Sequence, residues 1–192
     1  MKGKTLFLQD LERENGRLRE LLTIQPRLPG EWVAARVVAY PPIAPHRILT
    51  IDKGENQGIR RRAPVVVGAG LVGEIARVEG NRSQVLLVTD PTNAVDARIE
   101  PSGERGLIVG KVVKLGLKRD LFLSAFEYLS RAIEIQEGST VMTSGLDGIY
   151  PGGILIGSIQ TGKKKKYDIF QQAEVVPAVD FYKLREVLVL KK

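Results

Sequence analysis

From Trp32 onward the chain is a succession of short apolar and β-branched runs broken by Gly, Pro, Asn and Asp. The runs are WVAARVVAY, RILTID, APVVV, LVGEIARV, SQVLLVTD, AVDARIE, GLIVGKVVKL, DLFLSAF, STVMTS, ILIGSIQT, AEVVPA and REVLVLKK. Strict alternation, as in Ala94-Val95-Asp96-Ala97-Arg98-Ile99-Glu100, predicts strands with one face buried. Turn signals recur about every ten residues, the spacing expected of sandwiches or small barrels. YLSRA and DFYKLRE read as short helical turns. PVVVGAGLVGEIARV and TVMTSGLDGIYPGGILIGSIQT both pass from a β-branched strand through a Gly-rich turn into apolar-apolar-Gly-x-Ile. That echo predicts two similar β units, one in each half of the chain.

The first residues carry a different period. Leu8, Leu11, Asn15, Leu18 and Leu22 recur at spacings of three and four, an a/d series with a single Asn at an a position. Such an Asn fixes register and favours two strands. Glu14 at g and Arg19 at the following e are placed to pair across a parallel dimer. These seven residues are the expected dimer interface. Gly16 weakens the helix by about 1 kcal/mol relative to Ala, and so short a seam is marginal on its own. QPRLPGEW then breaks the helix and forms a stiff linker.

Composition narrows the function classes. Of 192 residues 43% are hydrophobic, as in a folded chain, yet no run approaches the length of a membrane span. MKGKTLFLQDLEREN places charge where a signal peptide needs an apolar segment. The absence of cysteine excludes disulfides, thiolate nucleophiles and Cys-based zinc sites, and one histidine cannot build a metal cluster. The net charge of +7 favours anionic surroundings. Arg60-Arg61-Arg62 and Lys163 to Lys166 adjoin Gly or Pro and read as solvated turns. No nucleic-acid-binding pattern supports the tetralysine run.

Two motifs invite an enzymatic reading. Gly68-x-Gly70-x-x-Gly73, with Asp90 after the next apolar run, spells a dinucleotide-binding fingerprint. That fingerprint needs a following helix and further αβ units. Here Gly80-Asn81 cuts the segment short and only strand-like runs follow. A tight hairpin explains the glycines better. Thr143-Ser144-Gly145 in a β-rich chain suggests a chymotrypsin-like serine hydrolase, with Ser144 as nucleophile and His46 as base. Asp52, Asp90 or Asp96 would supply the carboxylate, but His46 lies in the proline-rich YPPIAPHR, a surface-loop context. DKGENQG lacks the Gly and the final acid of a calcium loop.

Residues 36–99, GERGLIVG, EGSTVMTSGLDGIYPGGILIGSI and VVPAVDFYKLREVLVL, in this order and after ENGRLRELL, resemble the bacterial rod shape-determining MreC family. The resemblance covers essentially the whole chain. It implies a mostly β fold: a coiled-coil helix followed by two small β-barrels arranged as in chymotrypsin-like proteases, without their catalytic machinery. The expected divisions are a dimerisation helix over 1–25, a linker over 26–32, a first barrel over 33–115 and a second over 116–192, with strands open to exchange between barrels. It also implies a non-catalytic scaffold of the cell-elongation complex. Such a scaffold self-associates as a homodimer and in higher assemblies. It binds the class B penicillin-binding transpeptidase and acts with MreD, RodA and, across the membrane, MreB. No cofactor, metal or nucleic acid is implied. The family is anchored by one N-terminal membrane helix and works on the periplasmic face. That helix is absent from this sequence, so an extracytoplasmic fragment is expected. Leu146 to Ile149 and Ile43 to Arg47 are candidate contact loops for the transpeptidase.

Overall fold

The computed structural model describes residues 16, 29–40, 47–113, 121–130, 132, 134–163 and 169–191. The twelve apolar runs become twelve strands. In chain order they are β1 (Trp32–Ala39), β2 (Ile48–Ile51), β3 (Pro64–Val67), β4 (Gly70–Glu79), β5 (Arg82–Leu87) and β6 (Ala94–Glu100). They continue with β7 (Arg105–Val113), β8 (Leu121–Ser130), β9 (Thr140–Thr143), β10 (Leu155–Lys163), β11 (Phe170–Pro177) and β12 (Glu186–Leu190). Alternation sets which face is buried: Val95, Ala97 and Ile99 of β6 point inward, while Asp96, Arg98 and Glu100 remain partly exposed. DFYKLRE supplies the expected turn, a 3-10 helix at Phe181–Lys183 capped by Asp180. YLSRA does not: β8 runs on through Ser130, because Leu129 is drawn into the core.

All strand pairs are antiparallel and close two barrels. Around the first the order is β12-β1-β2-β5-β4-β3, and around the second β6-β7-β8-β11-β10-β9. The two orders are topologically equivalent, strand for strand. The second barrel is six consecutive strands, β6 to β11, and the first is β1 to β5 closed by β12. Counted by the two repeats β1–β6 and β7–β12, the sixth strand of each closes the other's barrel. The division at 115/116 therefore does not coincide with the barrels. β6 and β7 belong to the second barrel, and β12 closes the first. Pairing is decided by long-range hydrogen bonds that a run of alternating residues does not encode.

Two matching crossovers effect the exchange. After β5, the Val88 N–H donates to the Val72 carbonyl, and after β11 the Ala178 N–H donates to Ile156, both at 2.9 Å. An aspartate follows in each. Asp90 Oδ1 accepts the Thr92 N–H at 2.8 Å, and Asp180 Oδ1 accepts the Tyr182 N–H at 3.1 Å. The echo has a structural meaning too. Leu71-Val72-Gly73-Glu74-Ile75 of β4 and Leu155-Ile156-Gly157-Ser158-Ile159 of β10 occupy equivalent places. Each strand lies between the one that precedes it and the one that follows it.

One apolar cluster runs through both barrels, from Trp32 and Leu49 to Phe126 and Val175. The start of β4 is buried on both faces, with Leu71 and Val72 inaccessible, because it packs against β10. A Cβ on Gly70 would stand 2.3 Å from the Leu155 carbonyl oxygen, so this glycine permits the close approach of the two barrels.

Candidate partner-binding surface

The residues of the two enzymatic readings are held in structural roles. Gly68 and Ala69 form the two-residue turn of the β3–β4 hairpin, and Gly70 and Gly73 lie in β4, not at the start of a helix. Asp90 is fully buried; its carboxylate accepts the N–H of Arg47 and both the N–H and the hydroxyl of Thr92. It ties the β5–β6 crossover to the segment before β2 and presents no oxygen to a ribose. Ser144 Oγ accepts the Leu146 N–H at 3.1 Å. Asp52 Oδ1 accepts the Arg36 N–H at 2.8 Å, and Asp96 Oδ2 lies 2.6 Å from the Arg105 guanidinium. The structure thus places each proposed carboxylate in a fold contact. His46 and the expected dimer residues Leu8, Leu11, Glu14, Asn15, Leu18, Arg19 and Leu22 lie outside the described residues. Among the described residues no three His, Asp or Glu side chains gather as metal ligands, and no helix is long and apolar enough to cross a membrane.

Of the two candidate contact loops, the first displays an apolar side chain. Leu146 is 68% exposed at the tip of the β9–β10 connection. Asp147 Oδ1 accepts the N–H groups of Ile149 and Tyr150, and Tyr150 is buried against the first barrel, its hydroxyl 3.3 Å from Glu74 Oε2. The loop is therefore rooted across the junction of the barrels. In the second loop only Arg47 is described. Its Nη1 donates to the Thr89 carbonyl at 2.9 Å, so it serves the crossover.

Burial and the neighbouring Glu74 charge raise the Tyr150 phenol well above its ordinary range. The unfolded chain releases that proton near pH 10 while the folded chain keeps it, so stability falls as pH rises above about 10. We expect Tyr150→Phe to lose about 1–2 kcal/mol at neutral pH with the hydrogen bond to the carboxylate. It should also unfold less steeply with pH than the parent above pH 10. Thermal melts of both proteins across pH 7 to 11 check this; parallel curves would refute the assignment.

An exposed apolar patch that the sequence did not reveal lies on the second barrel. Tyr128 is 56% exposed on β8, Phe170 at the start of β11 is 47% exposed, and Ile169 just before it is 82% exposed. The two rings meet edge to face, with centroids 5.7 Å apart and planes at 72°. A bulge in β8 produces the patch. Ala173 pairs with Phe126 and Gln171 with Leu129, so two residues, Glu127 and Tyr128, face the single Gln172. The extra residue turns Leu129 inward and Tyr128 outward. Tyr128 adopts φ 62°, a left-handed conformation uncommon for an aromatic residue. Phe126 and Leu129 are both fully buried although three apart, which regular alternation forbids.

Comparison with known proteins agrees with this architecture. Residues 37–191 match the family model "Rod shape-determining protein MreC, barrel core". The cell shape-determining protein MreC of Listeria monocytogenes is 30% identical over 186 residues, covering 95% of this chain and 61% of that protein. The chain thus spans about three-fifths of that relative's length. A solved MreC structure superposes with a TM-score of 0.83 at 26% identity, covering 94% of this chain and 98% of the other. MreC of Helicobacter pylori, solved in complex with the penicillin-binding protein PBP2, shares the fold with a TM-score of 0.64 at 17% identity, covering 85% and 100% of the two chains.

Proposed function

The chain belongs to the rod shape-determining MreC family, and on that premise we propose that it is a non-catalytic scaffold for side-wall peptidoglycan synthesis. It docks the class B penicillin-binding transpeptidase of the elongation complex on the extracytoplasmic face of the cytoplasmic membrane. The observation that carries this reading is the bulged aromatic patch of Tyr128, Phe170 and Ile169, displayed on a rigid barrel. Exposed aromatic anchors on a pre-formed surface are what binding hot spots require. The Helicobacter pylori relative solved with PBP2 indicates the class of partner. Leu8, Leu11, Asn15, Leu18 and Leu22, with Glu14 and Arg19, pair two copies, and a membrane anchor in the full-length protein raises their effective concentration. Sheet edges allow higher assembly. MreD, RodA and, across the membrane, MreB complete the complex. The scaffold alters the enzyme's activity only as far as it binds one conformation better than another.

Titration calorimetry of this chain against the purified extracytoplasmic part of the elongation transpeptidase from the same organism tests the proposal. Saturable binding at about micromolar affinity or tighter, unchanged by Ser144→Ala, is expected. The absence of heat with both proteins folded would reject direct docking by this part of the scaffold.

A further inference from the structure

Arg60 and Arg61 are not explained by the scaffold reading, yet they line a built groove on the first barrel. This open cleft of about 780 Å³ is bounded by Glu55, Gly58, Ile59, Arg60 and Arg61 on one side and by Ala76, Arg77 and Val78 of β4 on the other. Among the described residues neither Arg60 nor Arg61 has an ion-pair partner. Arg77 has only an exposed contact to Glu79, 3.4 Å away, of a kind that contributes little. Glu55 is the one acid in the lining.

The wall bearing the arginines is fixed in place. The Gly58 N–H donates to Glu55 at 2.9 Å, Ile59 to Gly54 at 3.2 Å and Ala63 to Arg60 at 3.3 Å. Ile59 is buried and anchors the floor. The opposite wall is a strand edge bonded to this loop only at its ends. The Arg62 N–H donates to Ile75, and the Asn56 N–H to Gly80. Between these points, among the described residues, no backbone bond joins Ala76–Glu79 to the loop. Glu79 pairs with Arg82 across a two-residue turn, and Val78 with Ser83. The pair beside such a turn exchanges its hydrogen bonds, so the next pair points away from β5. The N–H and C=O of Val78 therefore face the groove.

We propose that this groove binds an extended acidic peptide segment of a partner protein, which adds alongside β4 at Val78 and places carboxylates on Arg60, Arg61 and Arg77. Charge complementarity selects the acid. The unpaired main chain of Val78 selects an extended peptide over a compact anion. Guanidinium forks bind carboxylates with two parallel bonds, and the fixed loop avoids an ordering cost on binding. The site is on the other barrel from the aromatic patch and does not depend on the docking proposed there.

Fluorescence anisotropy with a labelled peptide of alternating Val and Glu tests it, with the Val and Lys peptide and vesicles containing phosphatidylglycerol as competing probes. The acidic peptide should bind saturably and weaken with salt. The double variant Arg60→Glu, Arg61→Glu should lower its affinity at least tenfold with an unchanged melting temperature, while Glu55→Gln should raise it. Bound peptide should slow hydrogen exchange at the Val78 amide. Three outcomes would overturn the proposal: no binding, equal binding of the Lys peptide, or binding of vesicles but not of peptide. Arginine-dependent binding without protection of Val78 would overturn the strand-addition geometry. Each readout is independent of transpeptidase binding.

Discussion

Alanine at Gly73 or at Gly157 is expected to destabilise the fold by about 3 kcal/mol, the upper part of the range for forced overpacking. A Cβ at Gly73 would stand 1.9 Å from the Leu86 carbonyl oxygen, and at Gly157 2.1 Å from that of Val176. Neither obstacle is a flexible side chain. Both are main-chain atoms of the neighbouring strand, β5 or β11, and yield only if the ladder opens. The two positions are equivalent in their barrels, so their costs should be similar. Gly80→Ala is the control, since its new Cβ would meet nothing nearer than Asn56 Nδ2 at 3.6 Å. Urea unfolding followed by circular dichroism measures all three. Domains of ordinary stability retain only about 5–15 kcal/mol, so 3 kcal/mol moves the midpoint strongly. If Gly73→Ala unfolded together with Gly80→Ala, the close strand approach described here would be wrong.

Tyr128→Gly should separate stability from binding. Glycine adopts the left-handed conformation of residue 128 freely, whereas an L side chain there costs roughly 1–2 kcal/mol. Relief of that strain offsets the edge-to-face contact with Phe170, worth about 0.5–1.5 kcal/mol. The variant should therefore melt at or slightly above the parent temperature. Transpeptidase affinity should meanwhile fall by about 2 kcal/mol, roughly thirtyfold, as for loss of an aromatic anchor. Calorimetry and thermal melts on the same samples decide the matter. Unchanged affinity would remove Tyr128 from the docking surface. A large fall in melting temperature would show that the residue is kept for packing. The expected combination is that of strain retained at a functional position.

The patch was hidden in the sequence for a physical reason. In DLFLSAFEYLS the alternation suggests Tyr128 on the same face as Phe126. One inserted residue reverses that assignment, and a bulge is a property of two paired strands rather than of one. Ile169 and Phe170 are far from Tyr128 in sequence, and only the β8–β11 pairing brings them together. The arginines at 60–62 were visible, but as a solvated turn. The groove beside them exists because, beyond the stretch that β4 pairs with β3, its edge meets the following loop only at Ile75 and, past the strand's end, at Gly80.

By itself the sequence determined twelve strands, the alternation that buries one face of a strand such as β6, the hairpin nature of the Gly68–Gly73 stretch, the repetition of one β unit and the family. These follow from side-chain periodicity, turn chemistry and motif order, all of which are local. The tertiary structure alone decided that β6 and β12 trade barrels, that Asp90 and Asp180 hold equivalent crossovers, that Tyr128 faces outward and that Val78 keeps an open edge. Each of these depends on which distant backbone groups satisfy one another. A strand carries the same alternating residues whichever partner it finds, so only the closed network of hydrogen bonds selects among the possible pairings.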